Sequence, residues 1–160
     1  MRPSSKILFI AWLGFLAIMS LIIAADQARA ADSYTRLEIP ALHLDMRVTN
    51  DLDNGPMWWD ERRPGQGETV AIAAHRTYPT SQGIGPFRNI DLLKAGYLVR
   101  LTVNGRIFNY RITGHRVIPV KNLHIADDLG FERLILSACA KADGTPTSAA
   151  YRYVVYARPA

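Results

Sequence analysis

The sequence predicts an all-β fold, a barrel or sandwich of about seven short strands. Short apolar stretches with alternating polarity recur between turns rich in glycine, proline and asparagine, which is the pattern of half-buried strands. No stretch after residue 30 has the spacing of a long amphipathic helix. A chain of 160 residues leaves room for one domain of ordinary size.

The first strands are expected before residue 75. Residues 37–40 and 46–50 read as short strands, and residues 51–56 (DLDNGP) have the composition of a turn. Residues 64–67 (PGQG) mark a further loop. After this loop, residues 69–74 (TVAIAA) form an apolar strand candidate.

The elements of the second half follow the same reasoning. Residues 77–86 hold several prolines and glycines and are expected to form a loop, and residues 87–93 to form one or two helical turns. Two further strands are predicted over residues 133–138 and 151–157. The stretch between them, residues 139–150, is rich in small residues and is expected to be a loop.

The clearest local feature is a hairpin over residues 97–114. Apolar and polar residues alternate from Leu98 to Val103, and the strand pattern resumes at Arg106. Between them lies Asn104-Gly105. A type I′ turn needs positive φ at both central residues, and this dipeptide is the strongest short signal for it.

A run of nineteen uncharged residues begins at Ile7 and ends at Ala25. As a helix it would be about 28 Å long, close to the hydrocarbon thickness of a bilayer. Arg2 and Lys6 precede the run, which favours an amino terminus inside the cell and a remainder outside.

The length of this run favours a retained membrane anchor over a cleaved signal peptide. The small-x-small pattern of residues 28–30 (ARA) supports the second interpretation, which stays open. We therefore divide the chain into a cytoplasmic stub plus transmembrane anchor or signal segment, residues 1–30, and an extracytoplasmic domain, residues 31–160.

Composition excludes several classes of function. Two of the 19 basic residues precede the apolar run, and the balance of the others against 14 acidic residues is too mild for a nucleic-acid-binding surface. A single cysteine excludes an intramolecular disulfide framework and a cysteine-rich zinc site. None of the four histidines has the paired spacing of a metal site.

The one cysteine, Cys139, follows an apolar strand and opens the loop over residues 139–150. Most cysteines without a partner are buried and act as small hydrophobes. However, binding and catalytic groups collect where a strand end faces a loop, and a free thiol outside the cytoplasm risks oxidation. Position alone supports a structural role and a nucleophilic role equally.

Four histidines could serve as a base. His75 ends an apolar strand and begins a loop, so it occupies the same kind of position as Cys139. His115 lies in a strand-like run, where a structural role is favoured. His43 and His124 lie in polar connecting segments without a partner motif.

Arg152 begins the last predicted strand. If strands 133–138 and 151–157 pair antiparallel, the end of the first and the start of the second share one sheet edge. Cys139 and Arg152 would then flank one cleft, although Arg152 by itself would be interpreted as an exposed strand residue. Arg158, at the far end of the same strand, should not reach this cleft.

With His75, Cys139 and Arg152 in this order, the chain resembles the sortases, extracytoplasmic cysteine transpeptidases with an eight-stranded β-barrel. The resemblance is carried by four segments: LEIP at 37–40, TVAIAAHR at 69–76, LSAC at 136–139 and YRYVVYA at 151–157. It implies a thiol acyl transfer in which Cys139 is the nucleophile and His75 the general acid and base. Arg152 would contact the substrate carbonyl.

The chain departs from the usual sortase motifs at two positions. The family's Thr-Leu-x-Thr-Cys is ILSAC here, so Ala138 replaces a threonine after Ser137, and Ala74 replaces the usual glycine before the histidine. The resemblance implies that Ala74, Ser137 and Ala138 contact the substrate, so the changes bear on motif preference and subclass. The sequence HRTY at residues 75–78 is similar to class D or E enzymes.

The resemblance also implies the partners and the location. The substrates would be exported proteins with a C-terminal sorting motif of the LPxTG type, and the acceptor an amine of a peptidoglycan precursor. The run from Ile7 to Ala25 would hold the enzyme in the cell membrane as a single-pass protein, with its catalytic domain on the extracytoplasmic side. No cofactor, no metal and no nucleic acid is expected.

Two alternatives remain. Ala138, in place of the family threonine, leaves open a membrane-tethered β-barrel binding module that is catalytically inactive. A different cell-wall cysteine peptidase or transpeptidase is the other alternative. L,D-transpeptidases expect Ser-His-Gly-Cys, whereas Cys139 follows Ser137-Ala138, and NlpC/P60-like peptidases expect the cysteine before the histidine.

Overall fold

The computed structural model describes residues 34–78, 83–122, 124–146 and 148–160. These residues contain eight β-strands and five single-turn 3₁₀ helices. The predicted membrane segment, residues 7–25, lies outside these residues. Among the described residues, no helix is long and apolar enough to cross a membrane.

The strands are β1 (Thr35–Ile39), β2 (Leu44–Arg47), β3 (Met57–Trp58), β4 (Thr69–Ala73), β5 (Leu98–Val103), β6 (Arg106–Pro119), β7 (Arg133–Ala140) and β8 (Tyr151–Pro159). The 3₁₀ helices are Pro40–Leu42, Leu52–Asn54, Ile90–Leu92, Val120–Asn122 and His124–Ala126. The all-β prediction is therefore confirmed, and the helix at Ile90–Leu92 agrees with the helical turns expected over residues 87–93.

All eight strands belong to one sheet with the order β2-β1-β5-β6-β8-β7-β4-β3. Its pairs are antiparallel apart from β4 and β7, which run parallel. A parallel pair needs a long crossover, and the segment containing the β5–β6 hairpin supplies it. An isolated bridge between Thr49 and Met57 joins the two edges, so the sheet curls into an incompletely closed barrel.

The predicted hairpin is confirmed. Strands β5 and β6 meet at Asn104 and Gly105, which have φ values of 50° and 73°, as a type I′ turn requires. Strand β6 then continues to Pro119, well beyond the predicted hairpin. A register shift between Ile112 and Gly114 interrupts its pairing with β8, and such a bulge breaks the alternation on which the sequence prediction relied.

Two strand boundaries differ from the predictions. Strand β2 lies earlier than the predicted residues 46–50, because His43 adopts a left-handed conformation (φ 51°) that turns the chain back and pairs Leu44 with Ile39. Strand β7 extends through Ala140. Cys139 therefore lies inside the strand instead of opening the following loop.

The main hydrophobic core lies on the inner, concave face of the curled sheet. Along β7, Leu134, Leu136 and Ala138 belong to this core, whereas Ile135 belongs to a smaller cluster on the outer face. Successive strand residues point to opposite faces. Cys139 therefore shares the outer face with Ile135.

Candidate active site

Cys139 and Arg152 are directly paired residues of the β7–β8 ladder. Antiparallel partners have Cα atoms about 4.5–5.5 Å apart. Both side chains lie on the outer face, because Val154, two residues after Arg152, belongs to the same outer cluster as Ile135. Cys139 is only partly buried, so this residue lies near the protein surface.

His75 lies level with Cys139 on the other side of β7. Strand β4 pairs in parallel with β7 as far as Ser137, and the N–H of Ala74 continues the pattern by donating to the Ser137 carbonyl at 3.1 Å. Since Ala71 belongs to the outer cluster, alternation places His75 on the outer face as well. The structure thus brings the three predicted residues into one row, with His75 just beyond the end of β4, Cys139 on β7 and Arg152 on β8.

The His75 ring is held by one side chain from a distant turn and by one from its own loop. Its side chain is 14% exposed, and Nε2 lies 3.2 Å from Oδ1 of Asp53. The ring also packs at a tilt against Tyr78, with centroids 5.5 Å apart. Asp53 belongs to the segment that the sequence presented only as a turn, and nothing in its spacing marks it as a partner of His75.

The residue after His75 is a buried arginine. The Arg76 side chain is 2% exposed, and its guanidinium donates to the carbonyls of Gly144 at 2.6 Å and Arg88 at 3.1 Å and to the Asp91 carboxylate. Burial is the main influence on Arg76 and lowers its pKa. This side chain ties the segment that carries His75 to the β7–β8 loop and to the helical turn before β5.

Backbone hydrogen bonds also fix the main chain of His75 and Arg76. The N–H of Phe87 donates to the His75 carbonyl at 2.9 Å, and the N–H of Gly85 donates to the Arg76 carbonyl at 3.0 Å. A Cβ atom on Gly85 would lie 2.3 Å from the His75 oxygen. Only glycine permits this close approach of the two backbone segments.

Arg152 is oriented by its own loop. Its Nη1 donates to the carbonyls of Ala149 at 3.0 Å and Tyr151 at 3.1 Å. Arg158, on the same strand, pairs with Arg111 at the opposite end and lies over the Phe131 ring at 4.8 Å. As predicted, it is remote from Cys139.

The three residues expected to contact substrate lie in different environments. Ser137 is buried on the outer face, two positions before Cys139, and its hydroxyl has no hydrogen-bond partner among the described residues. Ala74 and Ala138 belong to the main core on the inner face. Their methyl groups therefore point away from the row of His75 and Cys139.

His115 lies apart from this row. His115 stacks on Tyr153 with centroids 5.1 Å apart. It also borders a cavity of about 460 Å³ whose lining includes none of the three predicted site residues. That lining consists of Thr113, Gly114, His115, Arg116, Arg133 and Tyr156. In the described ranges, no group of three or more potential metal ligands is close enough to hold an ion.

A family model described as the sortase domain matches residues 37–160. The chain belongs to the sortase family. Sortases are cysteine transpeptidases, so the recognition made from the motifs is confirmed at the level of the family. No curated protein matches this chain.

This sortase is similar in structure to several solved ones. With a sortase D5 transpeptidase from Clostridium perfringens it has 21% sequence identity and a TM-score of 0.65, covering 80% of this chain and 79% of that one. With the SrtA sortase from Actinomyces oris the values are 19% and 0.67, covering 79% of each chain. With sortase C-3 from Streptococcus pneumoniae they are 23% and 0.66, covering 80% of this chain and 62% of that one. These similarities establish the sortase fold.

Proposed function

We propose that this sortase is a membrane-anchored transpeptidase in which Cys139 is the nucleophile, His75 the general acid and base, and Arg152 the carbonyl ligand. The observation that carries the proposal is the single row formed by these residues on the outer face of β4, β7 and β8. All three residues lie within the segment that matches the sortase family model, residues 37–160.

The reaction divides amide exchange into two steps. His75 accepts the proton of the Cys139 thiol, and the thiolate attacks the carbonyl carbon of the scissile peptide bond. His75 then protonates the leaving amine, and a thioacyl enzyme forms as the C–N bond breaks. In the second step, an incoming amine attacks the thioester and gives its proton through His75, which restores the Cys139 thiol.

Arg152 stabilises the oxygen that becomes negative in each step. A guanidinium stays cationic at every relevant pH, and that of Arg152 donates to the carbonyls of Ala149 and Tyr151. One preorganised donor of this kind contributes about 3 kcal/mol to transition-state stabilisation. Its cross-strand pairing with Cys139 supports this role.

The substrate would lie along the outer face next to Cys139. Ser137 lies on the same face as Cys139, with its hydroxyl buried and without a hydrogen-bond partner among the described residues, whereas Ala74 and Ala138 would act through their backbones. We propose an LPxTG-like sorting motif on an exported protein as the acyl donor. The HRTY sequence at residues 75–78 favours a class D or E enzyme.

The location and the acceptor follow from the amino-terminal segment. The apolar run from Ile7 to Ala25 would anchor the protein with its catalytic domain on the extracytoplasmic side. There it would meet newly exported proteins and the free amine of a peptidoglycan precursor. An anchor thus concentrates the enzyme where donor and acceptor are both present.

Intact-mass spectrometry tests the proposal. The full-length chain in detergent is incubated with a panel of LPxTG-like peptides and then with a glycine-based amine. We expect a thioacyl adduct on Cys139 that the amine discharges as a new amide. Cys139→Ala should form neither species, whereas Arg158→Ala should form both.

Other outcomes point to the alternative functions. Peptide binding without an adduct would indicate a binding module, and release of a free acid in the presence of excess amine would indicate a peptidase. Either result would contradict the transpeptidase.

A further inference from the structure

We propose that Asp53 is a positioning residue for His75, and that its carboxylate selects the ring tautomer that reacts with the Cys139 thiol. The inference rests on the proposed function of His75. It is carried by the contact between Asp53 Oδ1 and His75 Nε2, which are 3.2 Å apart.

The chemistry of this contact determines the tautomer. A carboxylate only accepts hydrogen bonds, so the neutral ring must carry its hydrogen on Nε2. Nδ1 is then the basic nitrogen and the atom that exchanges protons with Cys139 and with the two amines. Asp53 takes no proton in this scheme, because it stabilises the doubly protonated ring that forms in each step.

The turn that carries Asp53 is stabilised by other side chains. Asp51 accepts the N–H of Asp53 at 3.0 Å and the side-chain amide of Asn54. Thr49 Oγ1 donates to the Asp51 carbonyl at 2.7 Å. Within the described ranges, His75 is the only hydrogen-bond partner of the Asp53 carboxylate. The conformation of the turn therefore does not depend on the Asp53 carboxylate, which is directed to His75.

The surroundings of the ring fit a positioning role. Tyr78, from the same loop, packs against the ring, and Asp53, from a distant turn, contacts its Nε2 edge, so two side chains oppose rotation of the ring. The neighbouring cation, Arg76, is directed to Asp91 and Gly144 and does not compete for Asp53. Asp53 itself is 76% exposed, so solvent screens the contact and its effect on rate should be moderate.

The test combines ¹⁵N NMR with kinetics on the full-length chain. Its four histidines are labelled with ¹⁵N, and the His75 signals are assigned by their loss in His75→Gln. At a pH where the ring is neutral, we expect a protonated Nε2 and an unprotonated Nδ1 in the wild-type protein and a mixture of tautomers in Asp53→Ala. We also expect Asp53→Ala to lower kcat for acyl transfer roughly threefold to tenfold with KM unchanged.

Two further variants complete the design. Asp53→Asn replaces the carboxylate by an amide that can accept or donate, so it should fix the tautomer less completely than aspartate and lose less kcat than Asp53→Ala. Asp45→Ala removes another exposed carboxylate, which pairs with Arg36 on the opposite edge of the sheet, and should change neither readout.

Three results would overturn the proposal. The first is an unchanged tautomer in Asp53→Ala, the second a rise in KM at constant kcat, and the third an increase in kcat. The second would mean that Asp53 binds substrate, and the third that it blocks the site. A wild-type protein that forms no thioacyl adduct would refute the proposed function. The NMR measurement needs no turnover, so it would still show whether Asp53 selects the His75 tautomer.

Discussion

Cys139 and Arg152 are cross-strand partners on the outer face of adjacent antiparallel strands. A slip of one residue in this ladder would turn one of the two side chains into the main core. The apolar residues that alternate with them, Ala138 and Tyr153, are buried in that core. Burial of the inner face therefore specifies the register that pairs Cys139 with Arg152 on the outer face.

The first prediction concerns Arg152. We expect Arg152→Ala to lower kcat for acyl transfer by about two orders of magnitude, because one oxyanion donor contributes about 3 kcal/mol. Arg152→Lys should recover little, because an ammonium lacks the planar fork of a guanidinium. Arg158→Ala removes the same charge from the far end of the strand and is the control. Equal losses in Arg152→Ala and Arg158→Ala would contradict the role of Arg152.

The second prediction concerns Gly85. An added Cβ would lie 2.3 Å from the His75 oxygen and 2.6 Å from its carbonyl carbon, so Gly85→Ala must displace the His75 backbone. A misplacement of about 1 Å costs on the order of a hundredfold in rate. Gly114→Ala is the control, since its Cβ would enter open space. Steady-state kinetics should show the loss only in Gly85→Ala, and normal turnover there would refute the prediction.

The third prediction concerns the stability that Arg76 provides. Arg76→Ala leaves the carbonyls of Arg88 and Gly144 without their donor, and each unsatisfied buried group costs about 1–3 kcal/mol. Asp91 is 43% exposed, so Asp91→Asn should cost about 1 kcal/mol or less. Urea unfolding measures both values. Equal losses in the two variants would show that the buried contacts of Arg76 contribute nothing.

The fourth prediction concerns alkaline pH. Tyr110 is fully buried and donates to Glu132 at 2.7 Å, and burial, followed by this hydrogen bond, raises the pKa of Tyr110. The folded state thus keeps a proton that the unfolded chain loses above about pH 10. The free energy of unfolding should be unaffected by this group below that pH and should fall above it by up to about 1.4 kcal/mol per pH unit.

Urea titrations between about pH 9 and pH 11 measure this dependence. Tyr110→Phe cannot ionise, so its stability should decline less steeply over the same range, whatever its absolute value. An identical slope in both proteins would contradict the assignment to Tyr110.

Features that depend on local conformational preference could be predicted from the sequence. Asn104-Gly105 specified the hairpin because few other dipeptides tolerate two positive φ values. The bounds of the apolar strands placed His75 just after the end of one strand and Arg152 at the start of another, because runs of apolar and β-branched residues stop or begin at those points. The antiparallel pairing of β7 and β8, which could only be supposed from the sequence, is present in the structure.

Features that depend on distant contacts could not be predicted. Cys139 is followed by Ala140 and Lys141, which indicate no strand, yet β8 pairs with β7 through Ala140. Tertiary pairing overrides local propensity here. Asp53 and Arg76 were missed for a related reason, since their partners lie in other segments and ordinary turn or loop residues carry no mark of such contacts.

The reactivity of the Cys139 thiol tests most directly whether the row of His75, Cys139 and Arg152 acts as one site. The chain has a single cysteine, so alkylation of the folded protein reports on this thiol alone. We predict that His75→Ala slows alkylation by about tenfold or more, because the base that accepts the thiol proton is removed, and that His115→Ala leaves the rate unchanged. Equal rates in the wild-type protein and in His75→Ala, or a wild-type thiol that reacts only after unfolding, would contradict the account.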